Sequence, residues 1–286
     1  TKDEPIIFTA DEDNAKSGHW GGIIINGKAP ISGDKEDKSN TALAEINNKY
    51  PYGGNNAADN SGVMTYVSIC YAGARSTQDI EHNGLTLNGV GNGTTIENIY
   101  VLESADDAIE FFGGTVNVKN LLAVNPDDDM FDFTQGYCGT LSNCYGIWES
   151  DYTSTEADPR GIEADGNFDG LYPNHLRQSD FVVDGMTIVN NAANTTDNVD
   201  RMQDVIKIRR GAKATIKNAL VKGTGGAIDL VDMNDGKGAG NAASTISITN
   251  SLQLTGKKLN GEAVLNEAGS NTGADTSVFG WTKYNF

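Results

Sequence analysis

Acidic side chains recur in this chain at a fixed interval. Asp107 and Glu110 are followed 22 residues later by Asp129 and Asp132, with Asp106, Asp127 and Asp128 crowding the same turns. The same register, carried through GIEADG from Gly161, DVIKIRR from Asp204 and AIDLV from Ala227, adds Glu163, Lys207 and Asp229 after a leading Thr86. Carboxylates stacked at this repeat compete for protons, and one of a crowded pair is pushed toward general-acid chemistry. Separations of about 5 Å and upward span what a glycosidase pair requires. The same oxygens suit Ca²⁺, a hard cation that takes six to eight of them and that can anchor an acidic sugar for β-elimination. The candidate catalytic set is Asp107, Glu110, Asp129, Asp132, Glu163 and Lys207, with Lys207 the one base in the column. Candidate Ca²⁺ ligands are Asp127, Asp128 and Asp129, together with Asp232, Asn234 and Asp235, whose spacing before a Gly resembles the first half of a Ca²⁺ loop without its trailing Glu. The segment DGNFDGLYPNH from Asp165 has the same look. A third account is that these acids form a polar outer face that keeps the protein soluble.

The elements that would position such a column are visible as a repeat. GLTLNGVGNGTTIENIYVLESADD from Gly84, AIEFFGGTVNVKNLLAVNPDDD from Ala108 and MFDFTQGYCGTLSNCYGIWES from Met130 are three copies of one unit of about 22 residues. Each holds a short apolar strand, a Gly-rich corner, a second apolar strand carrying Asn at a set place, and a polar run. A unit this small cannot bury its own apolar face and must stack on its neighbours. The Asn recurs as Asn98, Asn120, Asn143, Asn218 and Asn250, with Tyr66 and Asp184 in equivalent slots, at intervals of 32, 22, 23, 41, 34 and 32 residues. A constant core with variable excess marks coils carrying loop insertions, such as AANTTDNVDR from Ala192 and DGKGAGNAAS from Asp235, because loop length adds little closure cost. Short alternating strands, 34 glycines and six prolines exclude a helical protein. The expected fold is all-β: a right-handed single-stranded parallel β-helix with loop insertions, in one domain over residues 1–286. The Asn column should then form an amide ladder with a structural role. If Ile109 and Phe111 face inward, the acid column faces outward.

Composition narrows the partners. Lys plus Arg number 21 against 39 Asp plus Glu, a net charge of −18, which disfavours nucleic acid and anionic membranes. No apolar run is long enough to cross a bilayer. The three histidines fall in different loops, and the three cysteines show no metal-type spacing with them. Cys144 follows the ladder Asn and reads as core, and a Cys138–Cys144 bridge is an open alternative. Aromatic residues concentrate in the first two-thirds of the chain, and Phe112 and Trp148 are candidates for outward positions beside the acids.

The segments EPIIFTA from Glu4, HWGGIIINGKAPIS from His19, NSGVMTYVSICYAG from Asn60, NGLTLNGVGNGTTIENIYV from Asn83, DAIEFFGGTVNVKNLLA from Asp107, GIEADGN from Gly161 and FGWTKYNF from Phe279 resemble a family of secreted or cell-surface Bacteroidetes proteins, lipoproteins among them, with a pectin-lyase-like right-handed β-helix. The resemblance covers nearly the whole chain. It implies an extracellular or outer-membrane location in a Gram-negative bacterium, and a single domain lacking the amino-terminal rungs that relatives carry ahead of the segment resembling PIIFTA. It carries over no catalytic residues, and the paired Asp106 and Asp107 lack the other motifs of a polygalacturonase. The expectation is a non-catalytic surface protein, an adhesin or glycan-binding accessory stabilised by Ca²⁺, whose partner is a polysaccharide, a surface glycan or another surface protein. The alternative is a polysaccharide lyase or glycoside hydrolase working on acidic polysaccharide through the carboxylate column.

Overall fold

The structure, a computed structural model, describes residues 1–35, 38–76, 82–192 and 202–286. All but the first residue of the loop insertion expected from Ala192 lies outside the described residues. Two long parallel sheets are built alternately by successive coils. One has nine strands, from Ile6–Phe8 through Val63–Cys70, Thr95–Leu102, Val118–Val124, Thr140–Trp148, Asp180–Asn190, Lys213–Lys222 and Thr245–Asn250 to Val264–Glu267. The other has eight and includes Leu85–Asn88, Ile109–Phe112, Phe131–Thr134, Ile162–Ala164, Met202–Lys207 and Gly226–Asp232. This is the parallel β-helix that the 22-residue period predicts. A separate antiparallel hairpin, Thr41–Leu43 with Pro51–Gly53, stands outside the stack. Among the described residues no helix is long and apolar enough to cross a membrane.

Inward positions repeat from rung to rung and bury one continuous core. Phe111 stacks on its rung partner Phe133 with ring centroids 5.1 Å apart, and Phe181 of the nine-stranded sheet packs on Phe133 at 4.2 Å. Cys144 is buried in this core and all three cysteines are free, so the Cys138–Cys144 bridge does not form. Trp148, expected as a candidate outward aromatic, is also buried, its Nε1 donating to the carbonyl of Pro126 at 2.9 Å.

The amide ladder exists but is shorter than its sequence column. Asn120 donates to Asn98 Oδ1 at 3.0 Å and Asn143 donates to Asn120 Oδ1 at 2.9 Å. Each of these residues is left-handed, with φ of 57°, 58° and 54° at Asn98, Asn120 and Asn143. Asn tolerates that conformation better than other residues with a Cβ. Tyr66 occupies the slot before them, also left-handed. The slot after Asn143 belongs to Gly185 at φ 74°, and Asp184 pairs instead with Ser142. Asn218 resumes the conformation at φ 50°. Asn250 lies outside the column: the register shifts between Ile216 and Ala219, and Asn250 pairs with Val221. Its Oδ1 accepts from the Leu252 amide instead, closing a local turn.

The ladder's open amides hold the carboxyl-terminal segment across the outside of the nine-stranded sheet. Asn143 Oδ1 accepts from the Asp275 amide at 2.6 Å, Thr187 Oγ1 from Ala274 at 2.9 Å, and Asn218 Oδ1 from Thr272 at 2.7 Å. Gly273 runs so close to the sheet, at φ 70°, that a Cβ would collide with Thr187 and Leu220. Farther along, Phe279 is buried among Tyr100, Leu122, Tyr145 and Val189.

Position 120 separates the amide's role from the backbone's. Asn120→Ala should lower stability by about 2–4 kcal/mol, the sum of two ladder bonds and a strained left-handed residue. Asn120→Gly, which keeps the backbone free, should cost about 1 kcal/mol less, and Asn250→Ala should cost about 1 kcal/mol or less as a simple turn loss. Urea denaturation midpoints give the ranking; equal losses at 120 and 250 would contradict the shortened ladder.

Candidate functional site

The outward column forms on the eight-stranded sheet, and its register is set by the strands themselves. Thr86 pairs with Glu110, Glu110 with Asp132 and Asp132 with Glu163, as expected. Lys207 then pairs with Asp232, and Asp229 pairs with Asp204. The expected place of Asp229 beside Lys207 is therefore wrong by three residues. The segment Asp204-Val-Ile-Lys207 matches Asp229-Leu-Val-Asp232, since the adjacent apolar pair sets the register. A second polar column, of which the sequence showed only Asp107 over Asp129, runs beside the first. It contains Asn83, Asp107, Asp129, Arg160, Asp204 and Asp229, with the Asp129 amide donating to Asp107 Oδ1 at 2.9 Å. Arg160 was legible at that offset, three positions before Glu163, had the column been read along with its neighbours.

Two insertions turn this flank into a cleft of about 670 Å³. Glu110, Asp132 and Gln135 contribute to its floor, the hairpin supplies Leu43, Glu45 and Tyr52, and the loop after Asp165 supplies Phe168 and Asp169. Phe112, expected to point outward, lines it too. Tyr52 is anchored by donating to Gln135 Oε1 at 2.7 Å. The two walls are tied together, Tyr172 Oη donating to the Asp34 carbonyl at 2.9 Å and His175 Nε2 to the Ser39 carbonyl at 2.7 Å. The Arg177 amide donates to His175 Nδ1, which leaves the ring proton on Nε2.

Inside this flank the carboxylates crowd. Oxygens of Asp107, Glu110 and Asp132 lie within 4.8 Å of one another, as do those of Asp129, Asp132 and Glu163. Burial pushes Asp107, Glu110, Asp129 and Asp132 well above the ordinary carboxylate range, and the neighbouring acids push the same way. Asp204 is raised to about 6, chiefly by burial. Compensating cations sit at the far end. Arg160 binds Asp158 and Glu163, and Arg209 binds Glu163 and Asp165. Glu110 instead accepts from Asn83 Nδ2 at 2.6 Å. Asp129 Oδ1 and Asp132 Oδ1 are shielded from solvent without a hydrogen-bond partner.

The expected catalytic set thus divides. Asp107, Glu110, Asp129, Asp132 and Glu163 converge, with Glu110 and Asp132 on the cleft itself. Lys207 does not join them: it is ion-paired to Asp232 and lies 3.6 Å from Asp204, off the cleft lining. The expected metal set divides further. Asp127 accepts from Tyr152 Oη at 3.0 Å and from the Thr155 amide at 2.7 Å, tying down a loop, while Asp128 groups with Asp106 and Asp107, and Asp129 with Asp132 and Glu163. Asp232 groups with Asp204 and Asp229; Asn234 merely donates its amide to Asp232, and Asp235 pairs with Arg210. At 232–235 the two acids are held by Lys207 and Arg210 and by the turn itself. The loop from Asp165, likewise, is held by Arg209, Arg210 and Lys237.

The model of the pectate-lyase-like β-helix domain matches residues 1–283, and the chain belongs to that family. Neither the curated proteins nor the solved structures contain a match.

Raised carboxyl groups give a defined pH dependence. The folded state holds these protons more tightly than the unfolded chain, so their stabilising contribution is complete below about pH 4 and is lost as pH rises through the raised folded values, about 6 for Asp204. With chelator present, the melting temperature should be higher at pH 5 than at pH 7.5. Glu110→Gln and Asp132→Asn should each raise it at pH 7.5 by about 2–4 °C, the equivalent of about 1 kcal/mol. Circular dichroism melts check this, and a flat profile in the parent would contradict the protonated cluster.

Proposed function

We propose that this chain is a secreted or outer-membrane-displayed protein of a Gram-negative bacterium that holds a polysaccharide or surface glycan in the cleft, as an adhesin or a glycan-binding accessory. The observation that carries this reading is the combination in one concavity of carboxyl groups on the floor with Phe112 and Phe168 beside them. Sugar rings present C–H faces to aromatic rings and hydroxyls to carboxyl and amide groups. Both aromatics keep part of their surface exposed.

A second reading, hydrolysis, is favoured by the Glu110–Asp132 pair. Two carboxyls this close, with raised proton affinity, can supply an acid and a base or nucleophile, and a spacing within 4.8 Å between oxygens suits the retaining arrangement better than the inverting one. A lyase is less well supported, since Lys207 is committed elsewhere.

Ca²⁺ is retained as a proposal at a different place from 127–128 and 232–235. The unpartnered oxygens of Asp129 and Asp132, beside Glu163 or beside Asp107 and Glu110, are a donor set that fits a hard cation. The ion would add positive charge where Asp107, Glu110, Asp129 and Asp132 crowd one another.

A glycan array followed by calorimetry tests the binding reading. Phe168→Ala should weaken any hit about tenfold, as one lost stacking contact does, while leaving the melting temperature nearly unchanged; an array without hits removes the reading. Release of reducing ends that disappears in Glu110→Gln and Asp132→Asn would establish hydrolysis, and binding without release would exclude it. For Ca²⁺, the melting temperature should rise with added ion, fall with chelator, and lose both responses in Asp129→Asn.

A further inference from the structure

The cleft discriminates by the sign of charge, and this deepens the glycan-binding reading on which it rests. Of the twelve residues that line it, five are Asp or Glu, and among the described residues none is Lys or Arg. The cations nearby are already committed. Arg209 Nε lies 2.7 Å from Asp165, Arg210 Nη1 2.8 Å from Asp169, and Lys237 Nζ 2.6 Å from Asp169. Glu110 has an amide donor, Asn83, as its hydrogen-bond partner, and Asp132 Oδ1 is shielded with no partner at all. A uronate laid here would bury its carboxylate in a partly enclosed site with no Lys or Arg in the lining to answer it, which is costly. An ammonium meets the reverse: two carboxyl groups, and the electron-rich faces of Phe112 and Phe168 close by.

The chemistry of the walls separates an amino sugar from a basic peptide. The floor strands Leu85–Asn88, Ile109–Phe112 and Phe131–Thr134 are paired on both edges. They offer no free backbone to which an extended peptide could add as a strand. Side chains of Asn88, Thr134 and Gln135 supply polar groups at the floor instead, with the Gln135 amide oxygen already taken by Tyr52. Such groups match hydroxyls.

We infer that the ligand of this cleft is an amine-bearing glycan, an oligomer or polymer of protonated 2-amino-2-deoxy sugars, with an ammonium group seated between Glu110 and Asp132. This replaces the acidic polysaccharide expected from the sequence as the substrate class.

Calorimetry with the full chain, in chelator at pH 6, compares a glucosamine oligomer, its fully N-acetylated counterpart, an oligogalacturonate and oligolysine. The glucosamine oligomer should bind at least about tenfold more tightly than the others, and its affinity should drop as salt is raised and the charges are screened. Glu110→Gln and Asp132→Asn, both expected to fold at least as stably as the parent, should each cut that affinity about tenfold, one charge contact apiece, and leave the N-acetylated oligomer unaffected. Ca²⁺ should compete with the amine. Equal or tighter binding of the N-acetylated oligomer or the oligogalacturonate, lost in Phe168→Ala, overturns the amine while leaving a glycan cleft in place. Tighter binding of oligolysine overturns it in favour of a peptide ligand. If none of the four binds and the glycan array is also blank, the inference and the reading beneath it fall together.

Discussion

Every feature of this molecule follows from the hydrogen bonding of parallel strands coil upon coil, which sets each residue about 4.8 Å from its equivalent one turn away. Under that constraint a side chain is chosen for its ability to lie on a copy of itself. Apolar residues do so with profit, and Phe111 stacked on Phe133 is the result, with Phe181 from the other sheet packing on that stack. Asn does so by passing an amide bond along the stack, and it accepts the left-handed backbone that turns the chain at that point. Acids do so at a cost, because the stacking brings like charges together.

That cost is what distinguishes the acid columns from an ordinary solvated face. Two ionised carboxylates at 4.8 Å repel by about 3–4 kcal/mol at an effective dielectric of 20. The lower rungs relieve this by placing Arg160, Lys207 and Arg209 among the acids. Among the described residues Asp107, Glu110, Asp129 and Asp132 are in no ion pair, only Asp129 and Asp132 feeling Arg160 and Arg209 nearby, and burial raises their proton affinity. A soluble face needs neither the burial nor the crowding, since acids dispersed over open surface serve solubility equally well. The upper rungs therefore hold crowded, buried acids against the interest of the fold, a condition found more often at functional sites than elsewhere.

The fold and the floor of the site were legible because both are periodic. Glu110, Asp132 and Glu163 fall in line as soon as the repeat is aligned. The failures occur where the period is broken. Gly185 takes the slot assigned to Asp184 because Gly adopts the left-handed conformation more easily than Asp. Asn250 looks like a ladder member and is displaced by a register shift just upstream of its rung partner. Asp229 and Asp232 were exchanged because both precede or follow the same apolar pair. The walls were not legible at all: Glu45 and Tyr52 come from a hairpin that lies outside the repeat, and the loop after Asp165 reads as one more polar insertion until it is seen against that hairpin. Arg160 was missed for a different reason, as its column was read one position at a time.

The two outer faces of the solenoid are used in opposite ways, and their outward residues announce which is which. On the nine-stranded sheet Tyr100, Leu122, Tyr145 and Val189 point away from the core, a pattern that would leave an apolar patch in water. The carboxyl-terminal segment covers it, held by Asn143, Thr187 and Asn218 and by the buried ring of Phe279. On the eight-stranded sheet the corresponding positions are Thr86, Glu110, Asp132 and Glu163, polar groups that an apolar cover would bury without partners. Insertions stand at either side of that column and leave a cleft of ligand size between them. A cover for such a floor must bring polar groups and positive charge of its own, and the chain keeps its own basic side chains at the rim, paired with Asp165 and Asp169.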